Sequence, residues 1–419
     1  MREIPAELVV IGAGPAGLAA AVAAARAGLR EIYLLDRLEE PGGILQQCIH
    51  NGFGLRYFKE ELTGPEYAER FIGLARAEEG IHFLMETMAV GLTADRRVLA
   101  MNPRLGFVSF AAKAVVLAMG CRERTRGAIN IPGTRPAGIF TAGCLQRLMN
   151  IDGYLPGRRA VILGSGDIGL IMARRLTLEG IKVLAVLELM PYTSGLTRNV
   201  VQCLEDFGIP LRLGQTVIEV LGRDRVEGIV AAPVDGELRP IRESAYTIGC
   251  DTLVLSVGLI PENEISLQAG VELDPATAGP RVDPHYMTSV PGIFACGNVA
   301  HVHDLVDDVS LEAALAGGAA ARYALGRHTP AACLEVSAGR NIRSVVPQKV
   351  ALDRPTTLYI RVSRPERDVF LRVGRRRRRE RIVTPGEMLR YTVEPELVAG
   401  GDERLDVSIE ARKSGESVA

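Results

Sequence analysis

Two glycine patterns carry the most specific chemistry in this chain. Gly12-Ala-Gly14-Pro-Ala-Gly17 and Gly164-Ser-Gly166-Asp167-Ile168-Gly169 both place glycine at the first, third and sixth positions. The first glycine permits a tight turn, the second lets the backbone approach a pyrophosphate, and the third allows a helix to pack closely on a strand. An acid stands 19 residues beyond the third glycine in each case, Asp36 after Gly17 and Glu188 after Gly169. A carboxylate at that place accepts hydrogen bonds from ribose hydroxyls. One such pattern is weak evidence, but a pair with the same acid spacing points to two dinucleotide sites. Glu188 also favours a free 2′-hydroxyl and repels a 2′-phosphate. No Arg follows it until Arg198, so NADH is expected there and NADPH is disfavoured.

Other reactive side chains are more ambiguous. Cys48-Ile-His50-Asn51 sets a thiol and an imidazole close together, which suits proton handling but equally a loop that only shapes a pocket. His301-Val-His303-Asp304, with Asp307 and Asp308, has metal-ligand types. Acids before a helix are more simply read as capping and dipole partners, so no metal is expected. Arg122, Glu123 and Arg124 suit either a solvated hinge or a substrate contact. The 7 cysteines form no CxxC pair, which leaves a disulfide framework or zinc site poorly supported.

The elements that must position these residues are legible. Glu7–Arg30 and Arg159–Ile181 each read as strand, Gly-rich turn and Ala-rich or apolar helix. The strands Glu31–Asp36 and Lys182–Glu188 follow, so the same βαβ opening occurs twice, as expected for parallel sheets with crossover helices. From about residue 334 the pattern changes to short strands, Thr356–Val362, Val369–Val373 and Leu405–Glu410, with a frayed tail at Ser414–Ala419. The run Arg375–Arg379 falls between two of them and is expected in a solvated hairpin loop, with docking of an acidic partner as the sharper alternative.

Bulk composition removes several classes. A net charge of -1 gives no global attraction to nucleic acid or an anionic membrane. The apolar run Leu8 to Ala25 is interrupted by Gly12, Gly14, Pro15 and Gly17, so neither a signal peptide nor a membrane span is expected, and a cytoplasmic location follows by default.

Residues 5–330 resemble the two-dinucleotide-binding flavoprotein superfamily, typified by glutathione and thioredoxin reductases. The resemblance implies an α/β fold with two Rossmann-like domains, one for FAD and one for NAD(H), and here an added small β-rich C-terminal domain. The implied domains are 1–120 with 259–330 for FAD, 121–258 for NAD, and 334–419. It further implies FAD contacts from Asp36, Arg37, the pair Gly42-Gly43, backbone near Ala89, Gly120 after its strand, and the late motif Gly292-Ile-Phe-Ala-Cys-Gly297-Asn298. Gly258 closes the corresponding crossover of the NAD half. Asn298 departs from the superfamily's usual Asp. A helix starting near Ser310 is implied to aim its N-terminus at the flavin, stabilising an anionic reduced flavin by roughly 0.3–2 kcal/mol. Disulfide reductases of this superfamily need two close cysteines, whereas Cys48 stands alone until Cys121, so that activity is not expected. Cys48 and His50 would then be a flavin-side thiol and imidazole.

The stretches Gly43–Gly54, Glu61–Tyr67, Gly120-Cys-Arg-Glu-Arg124 and Asn298–Val306 also resemble bacterial NAD(P)/FAD-dependent oxidoreductases encoded beside anaerobic glycerol-3-phosphate dehydrogenase-like flavoproteins. The Gly-Cys-Arg-Glu-Arg stretch is similar to flavin subunits of opine and hydroxyproline dehydrogenases and of hydrogen cyanide synthase. The resemblance implies electron exchange between NAD(H) and a partner, a second flavoprotein or an electron-carrier subunit, with a small-molecule electron donor. A self-contained amino acid, imino acid or opine dehydrogenase is the alternative, and a non-catalytic nucleotide-binding assembly subunit the third reading.

Overall fold

A computed structural model describes residues 2–399 and 403–412, so the expected tail at Ser414–Ala419 lies outside the described residues. The chain divides into two compact units, one of residues 1–121, 261–384 and 388–419 and one of 122–260 and 385–387. Among the described residues no helix is long and apolar enough to cross a membrane.

The first unit is built on the strand Arg2–Ile11, whose last four residues are buried. It runs parallel to Ile32–Leu35 on one side and to Gly106–Leu117 on the other. Ile81–Leu84 extends the sheet in parallel beyond Ile32–Leu35, and Ile293–Ala295 pairs in parallel with the end of Gly106–Leu117. An antiparallel flap of Met88–Leu92 and Arg97–Asn102 completes it. Near-continuous Val, Leu and Ile in the central strands is the pattern of a sheet covered on both faces.

The helix Pro15–Arg26 opens with Pro at its first position and is rich in Ala for a packing reason. The long helix Val306–Ala324 crosses it so closely that a Cβ on Gly317 would sit 2.1 Å from the Ala20 carbonyl oxygen. A third helix, Gly64–Arg76, is started by a capping box: Glu66 accepts from Thr63 N at 2.8 Å while Thr63 Oγ1 accepts from Glu66 N. That helix aims Tyr67, fully buried, to donate to Ser310 Oγ at 2.8 Å. Thr63→Ala is expected to cost about 1 kcal/mol, read as a lower melting temperature with the bound-cofactor spectrum unchanged.

The C-terminal strands belong to this same unit. One sheet orders Lys349–Ala351, Cys333–Ala338, Arg404–Ala411, Glu366–Val373 and Arg376–Val383, and a second orders Ile342–Val346, Thr356–Val362 and Leu389–Val393. Leu358, Ile360, Leu371, Val407 and Ile409 form their core. The arginine run is not the loop expected from sequence. Arg376 to Arg379 lie within an edge strand, where Arg377 stacks on Phe370 and Arg379 pairs with Asp368 at 2.7 Å. A strand of exposed charges also keeps an open sheet edge from pairing with another chain.

The second unit centres on a five-stranded parallel sheet ordered Ile139–Thr141, Thr252–Leu255, Arg159–Leu163, Lys182–Glu188 and Leu211–Leu213. An antiparallel sheet of Gln215–Leu221, Gly228–Pro233 and Tyr246–Ile248 adjoins it.

Candidate functional site

The two glycine loops are built to one plan. In the first unit Gly12 N donates to Leu35 O at 2.8 Å and Ala118 N to Ile11 O at 2.9 Å. In the second, Gly164 N donates to Leu187 O and Ser256 N to Leu163 O, both at 2.7 Å. Gly12 and Gly164 have φ of 107° and 97°, and a Cβ on either would lie 2.3 or 2.0 Å from the carbonyl oxygen of Ala118 or Ser256. Gly17 and Gly169 face their own loops: a Cβ would meet the Gly12 oxygen at 1.7 Å and the Gly164 oxygen at 3.0 Å. These four glycines are therefore demanded by the fold itself.

Gly14 differs. It has ordinary extended φ of -73°, and a Cβ there would touch nothing within 4 Å. No side chain caps the helix it opens. Open space before uncapped N–H groups is what a pyrophosphate needs. The pair Gly42-Gly43 closes on the same loop, with Gly42 N donating to Ala13 O at 2.8 Å and Gly43 in the left-handed region at φ 57°. Gly166 is nearly as open, with Ser256 Oγ the nearest atom to its Cβ position at 3.2 Å.

The two acids repeat the plan. Asp36 accepts from Ala13 N at 2.7 Å and from Leu38 N at 2.9 Å. Glu188 accepts from Ser165 N and from Met190 N, both at 2.9 Å. Each acid thus bonds the residue after the first glycine and the residue two beyond itself. A carboxylate offers about four acceptor sites, which leaves Asp36 capacity for ribose hydroxyls. Glu188 also takes Ser165 Oγ at 2.5 Å, and Ser165 Oγ in turn accepts from Ser194 N. Asp167, at the helix start, accepts from Leu196 N at 2.8 Å and Asn199 Nδ2 at 2.6 Å. Ile168 beside it is half-buried, and Gly258 O receives Arg124 N at 2.9 Å. Arg37 is exposed just past Asp36, Ala89 is half-buried at a bulge of the flap, and Gly120 O receives Glu262 N. On these observations the residues present in each unit fit the pyrophosphate and ribose of a dinucleotide such as FAD or NAD(P)H.

Asn298 has a reason to be an amide. Its Nδ2 donates toward Cys121 Sγ at 3.7 Å while its Oδ1 accepts from His303 N at 3.0 Å. An Asp could accept but not donate.

The helix expected near Ser310 starts at Val306, a turn earlier, and its acids are not caps. Asp307 accepts from Gly54 N at 3.1 Å and Tyr57 N at 2.7 Å, tying down the loop after Asn51. Asp308 is shared by Arg56 at 2.9 Å and Arg390 at 2.8 Å, and Asp304 holds Arg361 at 2.6 Å and Met388 N at 2.7 Å. The acids next to the histidines in sequence are therefore spent elsewhere. Glu312, which sequence reasoning passes over, meets them instead: His301 Nε2 lies 2.8 Å and His303 Nε2 3.2 Å from its Oε2. Its Oε1 accepts from Gly297 N at 2.7 Å, which fixes the late glycine motif. The signal in the sequence is an acid one further helical turn along, on a buried face. Glu123 is likewise open in sequence. Its carboxylate receives Gly143 N at 2.8 Å and Cys144 N at 3.2 Å, a long-range cap on the helix Ala142–Asn150.

Cys48 donates to Ile44 O at 3.2 Å, and its own carbonyl receives Gly64 N at 2.8 Å. Burial pushes its thiol up to about 12. A higher pKa moves thiolate formation to higher pH, so at pH 8 only about one thiol in ten thousand is ionised, against roughly a quarter for a free cysteine. Neither thiolate attack nor a thiolate contact with the flavin is supported, and His50 packs on Phe53 with ring centroids 5.0 Å apart. Cys48→Ser is expected to leave the rate of flavin reduction by NADH within about threefold of wild type, and alkylation at Cys48 to stay slow up to about pH 10. Stopped-flow reduction and peptide mapping of iodoacetamide adducts check the two halves.

Two nucleotide loops of one design on α/β units define a flavin- and nicotinamide-dependent oxidoreductase. Residues 6–324 match the pyridine nucleotide-disulphide oxidoreductase family, and the chain belongs to it. Members bind FAD and NAD(P)H, and this protein is an FAD/NAD(P)-dependent oxidoreductase. It is 26% identical to hydrogen cyanide synthase subunit HcnB of Pseudomonas protegens over 83% of this chain and 77% of that protein. It is 28% identical to an opine oxidase subunit from Agrobacterium tumefaciens over 71% of this chain, but spans only 61% of that relative's length. The fold is that of thioredoxin reductase, the T. acidophilum enzyme superposing with a TM-score of 0.63 at 23% identity over 77% of this chain and 99% of that one.

Proposed function

We propose that this chain exchanges electrons between NADH and a partner subunit or carrier, within a complex that oxidises a small hydroxy or amino compound of the glycerol 3-phosphate type. The observation that carries the reading is the pair of open glycine loops, Gly14 and Gly166, each beside an acid held for ribose. Residues 1–120 and 259–330 would hold FAD, residues 121–258 NAD(H), and 334–419 would form the added β-rich part. Bound FAD supplies the two-electron chemistry that joins a hydride donor to the second electron partner. The chain's own contribution is to bind and orient. Asp36 with Arg37 and Ala89 serve the adenosine end, Gly12, Gly14 and Gly17 the pyrophosphate, and Gly42, Gly43, Gly120, Gly297 and Asn298 the remainder. Gly164, Gly166, Asp167, Ile168, Gly169, Glu188 and Gly258 shape the nicotinamide nucleotide site. Cys48 and His50 shape the pocket wall and take no covalent part. The names of the relatives above, both of them subunits, support a partner.

A self-contained dehydrogenase of an amino, imino or opine acid is the second reading. It is favoured by the likeness to a protein named as an opine oxidase subunit. Anaerobic titration of the purified chain with NADH, followed by the visible flavin band, tests the first reading. Prompt bleaching without turnover of amino or hydroxy acids supports it. Steady turnover of such an acid by the chain alone, with no bleaching by NADH, overturns it in favour of the second.

A further inference from the structure

The link between the late glycine motif and the long helix doubles back on itself. After the strand Ile293–Ala295 and the turn Gly297–Val299, residues 300–305 fold against the second turn of Val306–Ala324. His301 and His303 thereby present their Nε2 atoms to one oxygen of Glu312, at 2.8 and 3.2 Å, with the two imidazole centroids 4.0 Å apart. The side chains are only 5%, 1% and 0% exposed. Tyr359 lies against both rings, with centroids 5.5 and 5.6 Å away.

We propose that His301, His303 and Glu312 form a site for a borderline divalent cation such as zinc. Metal–ligand bonds of about 2.0–2.2 Å with angles of about 90–110° put neighbouring ligand atoms roughly 2.8–3.6 Å apart. The separations above fall within that range, and the three ligand atoms all lie within 4.8 Å of one another. Two imidazoles and one carboxylate suit zinc, iron or copper better than calcium or magnesium. The other oxygen of Glu312 is fixed by Gly297 N, the kind of outer contact that orients a metal-binding carboxylate. A cation would bind the His303 ring through Nε2, the atom that faces Glu312. It would also offset the charge of a wholly buried carboxylate, which otherwise rests on hydrogen bonds with Gly297, Tyr286 and the two imidazoles. Three protein ligands leave a fourth position for water, and the site would brace the loop carrying Gly297 and Asn298.

The test uses the full chain purified with its flavin and without a metal-affinity tag. The protein is exposed to zinc chloride, dialysed exhaustively and analysed for metal. The expected result is about one zinc per chain, falling at least tenfold in His303→Gln and in Glu312→Gln. Wild-type protein that retains no zinc, or variants that keep it, overturn the proposal. Cobalt chloride gives an independent reading on wild type alone, which decides the matter if the variants do not fold. Intense visible bands of low-coordinate, nitrogen-ligated cobalt support the site. The weak spectrum of hydrated cobalt means the three side chains are a hydrogen-bonded anchor only.

Discussion

Gly14→Val is expected to give a folded, colourless protein. Nothing in the chain fills the space beside Gly14 to 4 Å, and its backbone sits at an ordinary φ, so the fold tolerates a side chain there. The isopropyl group would stand where the pyrophosphate must approach uncapped N–H groups at the helix start. Loss of even two charge-assisted hydrogen bonds at about 1.5–3 kcal/mol each weakens FAD binding by a hundredfold or more. Gly17→Ala should behave oppositely: a Cβ 1.7 Å from the Gly12 oxygen cannot be housed, and the chain should fail to fold rather than merely lose its cofactor. Flavin absorbance per chain, with far-ultraviolet circular dichroism as the fold control, separates the two. A Gly14→Val protein that keeps stoichiometric FAD would remove the assignment of this loop.

The second large effect concerns nucleotide choice. Glu188 is 5% exposed and its carboxylate is held by Ser165 N and Met190 N, so it cannot swing aside for a 2′-phosphate. A phosphate of charge about −1.5 to −2 beside it is strongly disfavoured. Wild-type kcat/KM for flavin reduction is therefore expected to favour NADH over NADPH by roughly a hundredfold or more, equivalent to about 2.7 kcal/mol. Glu188→Ala removes the repulsion but also strands the buried Ser165 N–H, at about 1–3 kcal/mol, and the half-buried Met190 N–H. The NADH rate should fall about 10- to 100-fold and the preference shrink below about tenfold. Stopped-flow reduction with both nucleotides measures this, and equal rates for the two in wild type would sink the argument.

Much of this is legible in the sequence because the glycine positions are dictated locally. A turn so tight that a Cβ would fall 2.3 or 2.0 Å from a neighbouring carbonyl oxygen admits only glycine, so the motif spacing and the acid 19 residues on make both loops readable. The strand Lys182–Glu188 is readable to the residue as an apolar run ended by an acid. The start of the long helix is hidden because no side chain caps it. Asp307 and Asp308 look like caps in sequence, while their carboxylates bond Gly54, Tyr57, Arg56 and Arg390, residues 82 to 253 positions away in the chain. The arginine run reads as a loop because charge density imitates a solvated turn, yet an edge strand exposes its residues just as fully.

The sequence by itself determined the class of the protein: two dinucleotide-type glycine loops, an acid 19 residues beyond each, and no CxxC pair. Those properties depend on residue type and short spacing, which the chain carries locally. Only the tertiary structure decided what the isolated side chains do. Burial pushes the Cys48 thiol up to about 12, which disfavours its thiolate. Folding of residues 300–305 onto a helix gives His301 and His303 to Glu312 rather than to the acids beside them. Desolvation and long-range pairing are properties of the packed chain, and spacing along the sequence does not encode them.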